Sequence, residues 1–383
     1  MALTSDKLPR FIAAMQRVYA FPTESTSSSW APPPASAGHR GRYLWTDAFG
    51  VLNFLTLHRV TAQPLYLNHA KSLVTAVHST LGRTRDLSSY LPGASASNPL
   101  AGGLRIGKEN ATGPDGDGQY HHYLTLWMFA LNRLSVTSGE KQYNDQAISL
   151  AKAIHPHFMY NRSSSRPRMY WKMSMDLKEP LVRSEGNLDP VDGYVIFRLL
   201  QKTDGEDSSV LAEEIQQYKR IVDTKWKNYT SSDALDLGMT LWTAHWEDEV
   251  WAQGLVDRAE RDIEDFWESA HFRRSTSQRL AFRDFGLALG IKCGLSTRDQ
   301  KKWTERADSV LKAWEESGLV PESRADHTAG INAEEDLRPI SMVMYAAALI
   351  PGGDIRTSAW RVEDDWLCGS VKRGLWAKFH AFC

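Results

Sequence analysis

Cysteine is scarce: Cys293, Cys368 and Cys383 are the only three in 383 residues, too few and too scattered for a disulfide framework, and none has the paired spacing of a zinc knuckle. Net charge is equally scarce. Lys and Arg number 45 against 46 Asp and Glu, so a formal charge of -1 gives no overall field to recruit nucleic acid or an anionic membrane. No apolar run approaches membrane-spanning length, and Met1 to Tyr19 reads as an amphipathic helix carrying Asp6, Lys7, Arg10 and Arg17 rather than as a signal peptide. These absences point to a cytoplasmic protein with no nucleic-acid partner and no stable membrane insertion; oligomeric state is left open. Strand signals are weak. A Gly-rich phosphate loop, H-E-x-x-H and G-x-S-x-G are all missing, which leaves nucleophilic triads unsupported.

Tryptophan, at fourteen residues, and internal repetition are what the chain has in quantity. One unit recurs: an Asp, a Gly within three residues, an apolar helix, a short break, then an amphipathic helix. Asp47-Ala-Phe-Gly50 opens VLNFLTLHR, and Asp117-Gly118 opens YHHYLTLWMFALNR. Further copies open at Asp192-Gly193, at Asp236-Leu-Gly238 and at Asp284-Phe-Gly286, with a sixth, lacking the Gly, at Asp336. First helices are apolar nearly all round, whereas second helices such as 211–227 and 299–317 are charged on one face, which defines an inner and an outer ring. Six such hairpins predict an all-α (α/α)6 toroid, a single domain over residues 1–383, with the first helix completing the outer ring beside the sixth inner helix. Residues 21–43 read as a Ser/Pro-rich connector and 351–383 as a C-terminal tail, whose Trp366 to Trp376 segment, with Lys372 and Arg373, is a candidate lid. Two connections, 82–116 and 159–188, are too long for plain turns and read as a functional rim.

In such a ring all inner helices start at one mouth, so Asp47, Asp117, Asp189, Asp192, Asp236, Asp284 and Asp336 are expected to converge there. The competing reading is that each Asp only caps its own helix. Two stretches concentrate chemistry: Leu104-Arg-Ile-Gly-Lys108 with Asp115-Gly-Asp117-Gly-Gln-Tyr-His-His122, and Tyr170-Trp-Lys-Met-Ser-Met-Asp176 leading through Arg183, Glu185 and Asn187 to Asp189 and Asp192. Carboxylates three apart at a helix start suit a hard divalent cation, so Asp189, Asp192, Asp117 and Glu185 are candidate Mg2+ ligands. Arg105, Lys108, Lys172, Arg283 and Lys292 beside them suit an anionic ligand, against the alternative of ordinary rim salt bridges. Lys292 stands inside an apolar inner helix, where an unpartnered ammonium is costly. His121-His122 and His155-Pro-His157 are discounted as zinc ligands, since neighbouring helix positions point apart. Of the aromatics on or near inner helices, Tyr120, Trp242 and Phe285 are the candidate wall of a binding site, although most such rings must be core.

The runs LRIGK, DGQYHHYLTLWMFALNRLS, PRMYWKMSMDL, LDPVDG and LAFRDFGLALGIK together resemble the atypical humulene synthases of fungal tropolone sesquiterpenoid biosynthesis, over roughly residues 40 to 300. That resemblance implies a class I terpene cyclase that ionises farnesyl diphosphate, an isoprenyl diphosphate, with Mg2+, and it implies a catalytic role for Lys292 beside Asp189 and Asp192. Departures are plain: D-D-x-x-D is missing, Glu363-Asp364-Asp365 lacks the third acid, and Asn144-Asp145 lies on an outer helix. The alternative is a sugar-acting (α/α)6 enzyme using paired carboxylates, Asp117 with Asp189 or Glu185. A third reading is a toroidal scaffold in which the acids are caps alone.

Overall fold

The computed structural model describes residues 6–23, 30–33, 42–113, 116–295, 298–319 and 337–352. Asp115, Asp336, the candidate lid and most of the 351–383 tail fall outside these, as do Cys368 and Cys383. Within the described residues the six inner helices are α2 (Leu44–Thr61), α4 (His121–Ser138), α6 (Asp189–Asp204), α8 (Ala234–Ala244), α10 (Ala281–Gly294) and α12 (Arg338–Leu349). Their outer partners are α3 (Pro64–Leu81), α5 (Gln142–Phe158), α7 (Ala212–Lys225), α9 (Val250–Glu268), α11 (Gln300–Glu316) and, from the chain start, α1 (Lys7–Tyr19). Each inner helix packs on the next, and α12 packs back on α2, so the ring closes; α1 lies against α12. This is the (α/α)6 toroid expected from the repeat.

The glycine of the repeat has a packing reason. A Cβ at Gly50 would lie 2.0 Å from the Tyr19 hydroxyl, and one at Gly193 would lie 2.4 Å from the Tyr218 ring. At these two inner helices, an outer-helix tyrosine crosses where only hydrogen stands on the backbone. Between α8 and α10 the approach is backbone to backbone, with Gly290 against the Gly238 carbonyl. Two layers of helices so joined bury a continuous apolar core, from Phe11 and Tyr19 through Trp127 and Phe197 to Trp303 and Tyr345.

The long connections are not all irregular. β1 (Gln119–Tyr120), β4 (Lys172–Met173) and β5 (Pro180–Val182) form a small antiparallel sheet in the order β1-β4-β5, with Gln119 opposite Met173. A separate pair, β2 (Met159–Tyr160) and β3 (Arg168–Met169), closes the end of α5. These short strands, not visible as alternating patterns in the sequence, tie the second long connection to the start of α4 and thus hold it over the mouth.

Candidate active site at the inner-helix mouth

A cavity of about 390 Å3 opens where the inner helices begin. Every inner helix contributes from its first turns: Trp45 of α2, His122, Tyr123 and Leu126 of α4, Asp189 and Asp192 of α6, Asp236 of α8, Arg283 of α10 and Ile340 of α12, with Trp242 reaching in from further along α8. The two long connections supply the upper wall with Lys108, Tyr120, Trp171, Gly186 and Asn187. Aromatic faces dominate one side, where Tyr120 stacks on Trp171 at 5.7 Å between centroids and packs edge-on against Tyr123 at 5.3 Å. Trp45 lies 5.6 Å from the His122 ring.

Acidic groups complete the lining, Asp189, Asp192, Asp233 and Asp236 among them. Asp192 accepts a hydrogen bond from the Thr243 hydroxyl at 2.7 Å, yet burial, with Asp189 and Asp236 nearby, drives its carboxyl well above the ordinary range. Asp236 accepts from the Asn187 amide at 2.9 Å and the Tyr229 hydroxyl at 3.1 Å, and burial raises it too. Asp233 caps α8 by accepting from the Asp236 N–H at 3.0 Å and pairs with Arg283, which stacks over Phe282. Asp189 is almost wholly buried beneath Gly186, with Oδ1 3.4 Å from His121 Nδ1 and 3.9 Å from His122 Nδ1. His122 accepts from the Trp171 indole N–H at 3.2 Å, and burial pushes its imidazole down to about 4.

Several sequence expectations are corrected by these positions. The full ring of carboxylates does not form. Asp47 turns away from the lumen to Arg42 at 2.7 Å and the Tyr19 hydroxyl at 3.0 Å, and Asp284 turns to Arg279 at 3.0 Å, His271 at 2.9 Å and the Trp314 indole at 2.9 Å. In both cases the arginine stands five residues before the acid and locks the connector to the helix start. Neither acid is a helix cap, and neither reaches the cavity.

Asp117, expected as ligand and metal site, is consumed by its own loop: Oδ2 takes Arg105 at 2.7 Å and Arg85 at 2.9 Å, and Oδ1 takes the Gly107 and Gly118 N–H groups at 3.0 Å each. Arg105 is thereby a framework residue, bonded also to the Arg83 and Thr80 carbonyls. Lys172 lies buried under the same loop, donating to the Gly116 carbonyl at 2.6 Å. Glu185 faces Lys225 at 2.9 Å and Arg168 at 3.8 Å, outside the cavity lining. Phe285 is core, between Trp314 and Tyr345.

Lys292 is at the wrong end of the barrel. It stands eight residues beyond Asp284, about 12 Å further along the helix, and its ammonium bonds the Ala348 carbonyl at 2.8 Å and Asp308 at 2.9 Å. Of the four acids expected as Mg2+ ligands, Asp189 and Asp192 line the cavity, whereas Asp117 and Glu185 do not. Among the described residues, no group of three or more His, Cys, Asp or Glu side chains is arranged to hold a metal ion.

Of the predicted site residues, Asp189, Asp192, Lys108, Tyr120, Trp242 and Arg283 do line the cavity. Trp45, Tyr123, Trp171, Asn187 and His122 were not singled out as site residues. Trp171 lay within the second chemically rich stretch, and adjacency to Asp189 in the fold, which carries no sequence signal, is what brings in His122. His155, discounted as a zinc ligand, donates from Nε2 to the Gln217 amide oxygen at 2.8 Å, away from the mouth.

No family model matches the chain, and no curated protein matches it. Solved structures do. A family 76 glycoside hydrolase from a bovine strain of Bacteroides thetaiotaomicron superposes with a TM-score of 0.58 at 14% identity, covering 91% of this chain and 78% of its own. An α-mannanase of family 76 from Bacteroides thetaiotaomicron gives 0.55 at 10% identity, covering 90% and 94%. A sugar epimerase from a ruminal bacterium gives 0.53 at 11% identity, covering 90% and 96%. Identities this low establish the toroid and nothing finer.

They nevertheless overturn the terpene cyclase expectation, with its lyase reaction and farnesyl diphosphate substrate. The solved folds the chain resembles are those of sugar-acting enzymes, and Lys292, Asp117, Arg105 and Lys172, on which a diphosphate clamp depended, serve the framework instead. Among the described residues no helix is long and apolar enough to cross a membrane.

Proposed function

We propose that the protein is a carbohydrate-active enzyme that cleaves glycosidic bonds, with Asp192 as general acid and Asp189 as the partner carboxylate, acting as base or nucleophile. The observation that carries this reading is the pairing, three residues apart on α6, of two cavity-lining acids, with burial pushing the Asp192 carboxyl well above its ordinary range. A carboxyl raised by burial keeps the proton that a departing glycosidic oxygen needs, and environment alone separates the roles of two like groups. The aromatic lining supports the same reading, because indole and phenol rings offer faces for sugar C–H surfaces, while Asn187 and Asp236 offer polar partners for hydroxyls.

Epimerisation is the less favoured sugar chemistry. It requires a base strong enough to take a carbon-bound proton, and His122, held down at about 4, is a weak one. The sugar chemistry of the structural neighbours makes α-mannan the first substrate to try. The test is release of new reducing ends from α-mannan and a panel of other α- and β-glycans, with the anomer of the first product read by NMR. Cleavage by the native chain that is lost in Asp189→Asn and in Asp192→Asn is the expected result. A chain that cleaves none of the panel, or variants that cleave it normally, would defeat the assignment.

A further inference from the structure

Behind Asp189, and outside the set of cavity-lining groups, runs a buried chain of polar contacts. The Tyr218 hydroxyl of α7 is 2.6 Å from His121 Nε2, and His121 Nδ1 is 3.4 Å from Asp189 Oδ1. His121 and Tyr218 are fully shielded from solvent, and Asp189 is nearly so. Neither Oδ1 nor Nδ1 has a hydrogen-bond partner or solvent contact, and each is the nearest opposite polar group the other has, at 3.4 Å. Two polar atoms left in that state cost on the order of 1–3 kcal/mol each unless they engage one another. The site is also over-determined: a Cβ at Gly186 would fall 1.8 Å from Asp189 Oδ2, and Tyr218 lies across Gly193, so the carboxylate is confined from the loop side while the phenol is fixed from the helix side.

We infer that His121 is a positioning residue for Asp189, with its tautomer set by Tyr218, so that an imidazole N–H from behind anchors Oδ1 and leaves Oδ2 as the oxygen that works in the cavity. The inference rests on the proposed role of Asp189. Its logic is directional. Burial first, and then the nearby Asp189 carboxylate, push the Tyr218 phenol well above its ordinary value, so the hydroxyl keeps its proton, and with His121 Nε2 at 2.6 Å it donates that proton to Nε2. Nε2 is then the bare nitrogen, and the ring proton sits on Nδ1, facing Oδ1. Removing the phenol frees the ring to place its proton on Nε2 instead, which turns a lone pair toward the carboxylate and replaces attraction with repulsion. A wrong tautomer in a His–carboxylate pair disables the group it orients without dismantling the fold.

Two independent measurements test this. The first needs no substrate: long-range 1H–15N correlation spectra of the full chain, with the His121 signal assigned by its loss in His121→Asn. The expected native pattern is protonated Nδ1 and bare Nε2, and Tyr218→Phe is expected to change it. A native ring protonated on Nε2, or a pattern unchanged in Tyr218→Phe, would overturn the inference whether or not the protein cleaves glycans. The second is kinetic, on whichever glycan the native chain cleaves. Tyr218→Phe and His121→Ala should each lower kcat by about 10–100-fold with little change in KM. His121→Asn, whose amide N–H reaches the place of Nδ1, should recover part of the loss, whereas His121→Gln should not. Equal losses in Asn and Gln variants would reduce His121 to a packing residue.

Discussion

Asp117 is the sharpest place to separate framework acids from site acids. Its carboxylate accepts four hydrogen bonds, and Arg105, paired to it at 2.7 Å, has a side chain only 3% exposed. In Asp117→Asn, the amide keeps one oxygen for the Gly107 and Gly118 N–H groups but turns an NH2 toward two guanidinium donors. A buried arginine then has lost its counter-charge, which costs about 3–5 kcal/mol. Unfolding 383 residues carries an entropy near 0.8 kcal/mol/K at the midpoint, so Tm should fall by about 4–6 °C. Glu185→Gln is the control, since Glu185 and Lys225 are a half-buried pair at 19% and 20% exposure, whose loss should cost less than that of the buried Asp117 cluster. Calorimetry on both variants, with glycan cleavage measured well below Tm, is the assay. A Tm for Asp117→Asn within about 1 °C of native would refute the framework role.

Lys292→Met should leave kcat/KM within about threefold of native, because the ammonium serves Asp308 and the Ala348 carbonyl at the far end of the barrel; a hundredfold loss by steady-state kinetics would contradict that placement. Asp192→Asn should abolish turnover yet raise Tm at neutral pH. The sign follows from linkage: a carboxyl raised in the folded state binds its proton more tightly there than in the unfolded chain, so native stability falls as pH climbs above about 4. The gain in the variant should therefore shrink as pH drops to that value and both chains carry a neutral group, which thermal melts across pH will show. Trp171→Ala, removing an indole 37% exposed at the rim and stacked on Tyr120, should raise KM about tenfold with kcat nearly unchanged, as expected for a stacking platform contributing about 1–1.5 kcal/mol.

The toroid was legible because helical periodicity and the recurring Asp–Gly unit both report backbone packing, which is local. What the acids face was harder to read, because a single-residue offset turns a side chain by about 100° around a helix. Asp47 stands three residues before Gly50, and Gly50 faces the outer-helix Tyr19, so Asp47 shares that outward face. Asp192 stands one residue before Gly193, which faces Tyr218, so Asp192 is turned off that face toward the lumen. Spacing alone does not decide the matter, because Asp236 and Asp284 each stand two residues before a Gly, and Asp236 lines the cavity while Asp284 turns to Arg279 and Trp314. Lys292 shows a second limit: a buried lysine signals a partner without saying at which end of the barrel. Arg105, Lys172 and Asp117 were read as ligand-binding from their density of charge, whereas a loop that must bridge two helices needs the same charges to satisfy its own carbonyls and N–H groups.

The most direct measurement is the structure of Asp192→Asn with a bound oligosaccharide. A glycosidic oxygen within hydrogen-bond reach of residue 192, an anomeric carbon facing Asp189, and a sugar ring against Trp45, Tyr120 or Trp171 are the expected result. Sugar seated away from the inner-helix mouth, with the two α6 acids untouched, would contradict the assignment of this cavity as the active site.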